Sequence, residues 1–101
     1  SDVYKRQVSG AQAGRQIECT IYKSAIWGRS KEMCDVSFDD PRISKQHCVF
    51  EVRECGVVLS DLNSHNGTYV NGIKIPAEHL LHVGDTLQLG NIVLRVIQLA
   101  R

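Results

Sequence analysis

Apolar and polar positions alternate with a period of two along much of this chain, and no stretch holds a helical period. The pattern is plainest from His47 to Arg53. There Cys48, Phe50 and Val52 face one way and Val49, Glu51 and Arg53 the other. Glu54-Cys55-Gly56 reads as a hairpin connection, and Val57 to Leu62 as the returning strand. Asn63 to Gly67 is a polar loop. Thr68-Tyr69-Val70 and Ile73-Lys74-Ile75 flank Asn71-Gly72, a pair that supplies the positive φ angles of a two-residue hairpin. Leu80-Leu81 is expected to anchor a loop to the core. Val83-Gly84-Asp85 turns into Thr86 to Leu89, and Gly90-Asn91 turns into Ile92 to Ile97. Upstream, Ile17 to Ile21 alternates and is rich in β-branched residues, Ala25-Ile26-Trp27 leads into Gly28-Arg29, and Asp35 to Phe38 is a short strand before the Asp39-Asp40-Pro41 turn. Short strands punctuated by turns predict an all-β fold, a two-sheet β-sandwich of about eleven mainly antiparallel strands.

Residues 1–16 are small and polar and read as a flexible leader. Val3 to Val8 is either a first edge strand or a cloning or sequencing remnant. The folded unit is expected over 17–98. The chain starts at Ser1 rather than Met, so a piece of something longer is expected.

At 101 residues the chain is one domain at most. Hydrophobic residues at 43% and charged residues at 23% are ordinary globular values. A net charge of +1 lacks the basic excess of a nucleic-acid binder, so no nucleic-acid partner is expected and any charge-driven recognition must be local. No apolar run approaches the ~20 residues of a membrane span, so no membrane partner is expected. The isolated domain is expected to be a monomer. Cys19, Cys34, Cys48 and Cys55 form no Cys-x-x-Cys pair and no secretory signal accompanies them. Reduced thiols and an intracellular setting, nuclear or cytoplasmic with the nucleus favoured, follow. His79 and His82 match no zinc spacing, so no metal and no cofactor is expected.

The chemistry gathers between Trp27 and Gly72. Gly28-Arg29, Ser44-Lys45-Gln46-His47 and Asn66-Gly67-Thr68 fall at strand ends and in turns, where a rigid sheet holds polar groups within reach of solvent. One arginine, one hydroxyl, one lysine and one asparagine suit recognition of a phosphate group on an extended peptide. They lack the paired carboxylates or activated nucleophile of a hydrolytic site, and no nucleotide-binding glycine loop with its lysine occurs, so the domain is not expected to be an enzyme. Arginine is a fixed planar fork of donors, which suits a phosphothreonine carrying about −1.5 to −2 charges. Asparagine carries a carbonyl and an amide on one short arm and can pair with the N–H and C=O of an extended chain together. By themselves the residues do not separate Asn66 from Asn71, since both precede glycine.

Together, Gly28-Arg29, Ser44-x-x-His47, Leu59-Ser-Asp-Leu62, Asn66-Gly67-Thr68-x-Val70-Asn71-Gly72 and Leu81-x-x-Gly84-Asp85-x-Leu87-x-x-Gly90 resemble the forkhead-associated (FHA) domain family over roughly 17–98. The resemblance implies a two-sheet sandwich whose loops at one end bind a phosphothreonine peptide. It implies that Arg29 and Ser44 hold the phosphate, that Lys45 sits at a variable phosphate-side position, and that Asn66 bonds the ligand main chain. His47 matches a loop-bracing histidine, and Gly28 and Gly67 match backbone-shaping glycines. Asn71 then reads as turn chemistry alone, and Asp61 and Asp85 as loop-bracing carboxylates. Asp39 to Ser44 looks like the matching stretch of checkpoint or meiotic protein kinases, which suggests a kinase parent and a DNA-damage signalling role. The competing expectation is an FHA-like domain that makes phosphate-independent contacts through a sheet face.

Ligand choice is expected to rest on Arg42, two residues before Ser44. Peptide residues three apart span roughly 10 Å, and family members commonly select at the third position after the phosphothreonine, so Asp or Glu is expected there. In the alternative, an apolar ligand residue packs near Asn91 or the Asn71 turn. His65, at a position that varies in the family, and Asn91 complete the specificity candidates.

Overall fold

The structure, a computed structural model, describes residues 3–10 and 24–100, with the backbone alone for 3–10 and 97–100. The strand expected at Ile17 to Ile21, Cys19 and the start of the expected 17–98 unit lie outside the described residues.

Among the described residues there are ten strands and no helix. They are β1 (Val3–Gly10), β2 (Ala25–Gly28), β3 (Val36–Ser37), β4 (Cys48–Arg53), β5 (Gly56–Asp61), β6 (Thr68–Val70), β7 (Ile73–Lys74), β8 (Glu78–Leu80), β9 (Thr86–Leu89) and β10 (Ile92–Ala100). They form two five-stranded sheets, ordered β1-β10-β9-β6-β7 and β3-β2-β4-β5-β8. All pairings are antiparallel except β2 with β3. The fold is the expected β-sandwich.

Period-two alternation builds the core. Trp27, Phe50 and Leu59 from one sheet meet Leu87, Leu89 and Leu94 from the other, each no more than 1% exposed. Phe38 and Phe50 tilt against the Trp27 ring with centroids 5.6 and 4.4 Å away, an arrangement aromatic pairs favour. Cys48 belongs to this core as a small apolar residue. The Asn71-Gly72 turn has the expected positive φ angles, 53° and 82°.

Several elements differ from the sequence pattern. Only Val36–Ser37 of the Asp35 to Phe38 segment is strand, since Phe38 turns inward under Trp27. β5 stops at Asp61, leaving Leu62 37% exposed. The stretch before Leu81, expected as a loop, contains the edge strand β8. It pairs with β5 through Val58↔Leu80 and Ser60↔Glu78, and Glu78 meets Arg53 of β4 at 2.8 Å. Leu81 is the buried anchor. A three-residue edge strand made by its partner leaves little local pattern.

Asn71 does more than turn the chain. Its Nδ2 donates to Asp85 Oδ1 at 3.0 Å and its Oδ1 accepts the Thr86 N–H at 2.9 Å, clamping the hairpin to the mouth of β9. The reading of Asn71 as turn chemistry alone is corrected here. A side-chain bond to a residue fourteen positions away leaves no trace in a dipeptide.

Candidate functional site

Three loops meet at one end of the sandwich, and backbone approach sets their spacing. A Cβ at Gly28 would sit 2.8 Å from the Ser44 carbonyl oxygen and closer still to that of Lys45. Glycine at 28 therefore lets the Ser44-Lys45 backbone lie directly against the end of β2. Arg29 N–H donates to Ser44 O at 2.9 Å, and Ser30 N–H to Lys45 O at 3.2 Å. The Cys34 thiol donates to the same Lys45 carbonyl at 2.8 Å.

Arg29 is exposed at the head of this seam. Its Nε donates to Ile43 O at 2.9 Å, which fixes the guanidinium plane while its terminal nitrogens make no hydrogen bond among the described residues. Ser44 Oγ accepts the His65 N–H at 3.0 Å. With that lone pair occupied, the hydroxyl proton can be given to a ligand oxygen. Lys45 is exposed beside it, and its backbone carbonyl is held as described.

His47 is fully buried and joins two of the loops. Its Nδ1 accepts the Ser44 N–H at 3.1 Å, so the ring proton lies on Nε2, which donates to Gly67 O at 2.8 Å. Gly67 takes φ +86°, and a Cβ there would meet the Lys74 side chain at 2.9 Å. Asn66 Nδ2 donates to Arg42 O at 2.7 Å, leaving its second amide hydrogen and its Oδ1 for a ligand main chain.

Two carboxylates hold these loops: Asp61, expected as a brace, and Asp40, which was not singled out. Asp61 accepts from Ser64 N–H at 3.0 Å, from Ser64 Oγ–H, and from Thr68 Oγ1–H at 2.7 Å. Burial opposes ionisation of Asp61, but these hydrogen bonds outweigh it and hold the carboxyl below its ordinary pKa. Asp40, 6% exposed, accepts the Arg42 N–H on Oδ1 and the Asn91 N–H on Oδ2, each at 2.9 Å. It ties the 40–43 loop to the Gly90-Asn91 turn. The contact with Arg42 is an Asx turn, for which Asp40-Pro41 was a readable signal; the contact with Asn91 spans fifty-one positions and was not readable.

Arg42, Asn66, Tyr69, Gln88 and Gly90 line an open cavity of about 300 Å³. The structure thus puts Arg42 and Asn66 on one concavity and adds Tyr69 and Gln88, which sequence reasoning missed because they alternate outward on β6 and β9. Asn91 does not line this cavity, and the Asn71 turn sits at the other end of β9. Val70, Asn71, Ile73, Ile75 and Pro76 line a second, more apolar concavity at that turn. His65 is exposed, with its backbone N–H bound to Ser44. No metal-ligand set occurs among Arg29, Ser44, Lys45 and Asn66. The arrangement can give several hydrogen bonds to an anion and two to an extended main chain.

A family model described as FHA domain matches residues 26–90. The proliferation marker protein Ki-67 of Mus musculus is 39% identical over 66 residues, 65% of this chain and 2% of that protein. The crystal structure of the FHA domain of the CT664 protein from Chlamydia trachomatis superposes with a TM-score of 0.83 at 26% identity, covering 97% of this chain and 99% of that one. A structure from a study of phosphothreonine-dependent FHA domain interactions superposes with a TM-score of 0.84 at 27% identity, covering 95% and 96%. The chain spans only a small part, 2%, of the Ki-67 proteins it matches.

Proposed function

Because this chain belongs to the FHA domain family, we propose that it is a phosphothreonine-dependent peptide-binding module that recruits a phosphorylated partner protein in signalling. Domains of this family are interaction modules, not enzymes. The observation that carries the reading is the geometry of Arg29 and Ser44. The Arg29 guanidinium is oriented by Ile43 O, and the Ser44 hydroxyl is oriented by the His65 N–H, on the same backbone seam. Both groups are partly positioned before a ligand arrives, which lowers the ordering cost of binding an anion. Asn66 beside them offers main-chain pairing, and Lys45 adds positive charge near the phosphate.

A kinase parent of the checkpoint or meiotic type, acting in DNA-damage signalling in the nucleus or cytoplasm, is the wider setting we infer. Its support is the likeness of Asp39 to Ser44 to the matching stretch in such kinases, and the full-length reading frame tests it.

Calorimetry with matched phosphorylated and plain threonine peptides, drawn from an oriented library, tests the binding reading. The phosphorylated form should bind and the plain form should not. Arg29→Ala should cost about 1.5–3 kcal/mol, the range for a hydrogen bond to a charged group, or about ten- to hundredfold in affinity. Equal binding of both peptides would refute the reading in favour of phosphate-independent contact.

A further inference from the structure

Away from the recognition loops, the mouth of β9 gathers three side chains that the sequence leaves apart. His79 lies in β8, on the edge of one sheet, and Asp85 immediately precedes β9 of the other. His82 sits in the connection between them. His79 Nε2 is 3.2 Å and His82 Nδ1 3.9 Å from the same Asp85 Oδ2, and the three donor atoms lie within 4.8 Å of one another. We propose that His79, His82 and Asp85 form a binding site for one divalent first-row transition cation of the zinc type.

Ligand chemistry selects that class. Two imidazoles and one carboxylate suit Zn²⁺, Co²⁺ or Ni²⁺, whereas Mg²⁺ and Ca²⁺ prefer oxygen donors throughout. At metal–ligand bonds of about 2.0–2.1 Å, tetrahedral ligands stand roughly 3.3 Å apart. The His79–Asp85 separation already matches. The remaining closure is on the order of 1 Å, which the largely exposed His82 ring supplies by rotation. That exposure also leaves the fourth position open to water.

The carboxylate is held as a ligand needs to be. Asp85 is 8% exposed, its Oδ1 accepts from Asn71 Nδ2 at 3.0 Å, and its Oδ2 accepts the His82 N–H at 2.8 Å. Outer contacts of this kind orient a ligand before the ion arrives. The backbone is fixed by Gly84 N–H to Val96 O at 2.7 Å and Val96 N–H to Asp85 O at 2.9 Å, and buried Leu81 pins the connection between the two histidines. The plain alternative is a hydrogen-bonded turn. It accounts for His79, Asp85 and the His82 N–H, and leaves only the His82 ring nitrogen, 3.9 Å from the same oxygen, without a role. The sequence expectation of no metal rested on spacing alone; the third ligand comes from the fold. An ion here would staple the edge of one sheet to the start of a strand in the other, independently of phosphopeptide binding at the far end of β9.

Calorimetric titration of the reduced chain with Zn²⁺ should show one equivalent bound, together with a rise in melting temperature. His82→Ala, which removes an exposed ring, should fold as the parent does and weaken zinc binding at least tenfold, as should His79→Gln. Co²⁺ should give d–d absorption without a thiolate charge-transfer band. Zinc affinity unchanged in both variants would overturn the proposal, as would a thiolate band, which assigns the metal to cysteines, or the absence of any zinc effect on the parent chain.

Discussion

Removing His47 separates loop bracing from ligand contact. The imidazole is fully buried and makes two bonds, accepting from Ser44 N–H at 3.1 Å and donating to Gly67 O at 2.8 Å. His47→Ala leaves both backbone groups without their partner. Each orphaned buried group costs about 1–3 kcal/mol, and water entering the space recovers part of that, so the net is about 2–4 kcal/mol. For a domain of this size about 1 kcal/mol moves the melting temperature by 4–8 °C, giving a fall of roughly 10–25 °C. Affinity for a phosphothreonine peptide should fall with it, because Ser44 and the Asn66-Gly67 loop lose their common brace. His47→Phe refills the ring volume without either bond and should not restore stability. Thermal melts and calorimetry read both quantities, and a long-range proton–nitrogen spectrum should find the ring proton on Nε2. A His47→Ala protein that melts within a few degrees of the parent, or a His47→Phe protein of full stability, would refute the bracing argument.

Arg42 lines the cavity beside Asn66, so an oriented library should select Asp or Glu at the third position after the phosphothreonine. The exposed pair should be worth only about 0.2–1 kcal/mol, should weaken with salt, and should vanish in Arg42→Ala; selection of Ile or Leu, unchanged in that variant, would assign the cavity to apolar contact. Asp61, whose folded pKa is depressed, contributes stability that is complete above its unfolded value of about 3.9 and is lost as pH falls through the lower folded value. Melting curves taken down through that window should therefore drop more steeply for the parent than for Asp61→Asn, and parallel curves would remove Asp61 from the account. With a thiol reagent, exposed Cys55 should react first and Cys34 more slowly, since burial pushes its thiol pKa up, and buried Cys48 only on unfolding. All four thiols should be counted after denaturation without reductant, whereas a count of two would mean a disulfide.

The sequence by itself determined the sandwich. Alternation from Cys48 to Arg53 and from Thr86 to Leu89, with Asn71-Gly72 between, is local information, because a pleated strand with one buried face requires period two and a tight hairpin requires positive φ. That Arg29, Ser44 and Asn66 are polar positions at turns beside those strands was legible for the same reason, but their choice over neighbours such as Asn71 came from the family resemblance. Tertiary structure alone decided which positions meet. Gly28 is fixed by carbonyls sixteen and seventeen residues away, not by its own φ. Asp40 joins Asn91 only once the two sheets are packed, and Asn71 joins Asp85 only once β6 has paired with β9. β8 exists because β5 is there to pair with it. The convergence of His79, His82 and Asp85 likewise depends on two sheets meeting at a corner. Period and turn chemistry are properties of a few adjacent residues, whereas these contacts depend on the distance between strands, which the linear pattern does not carry.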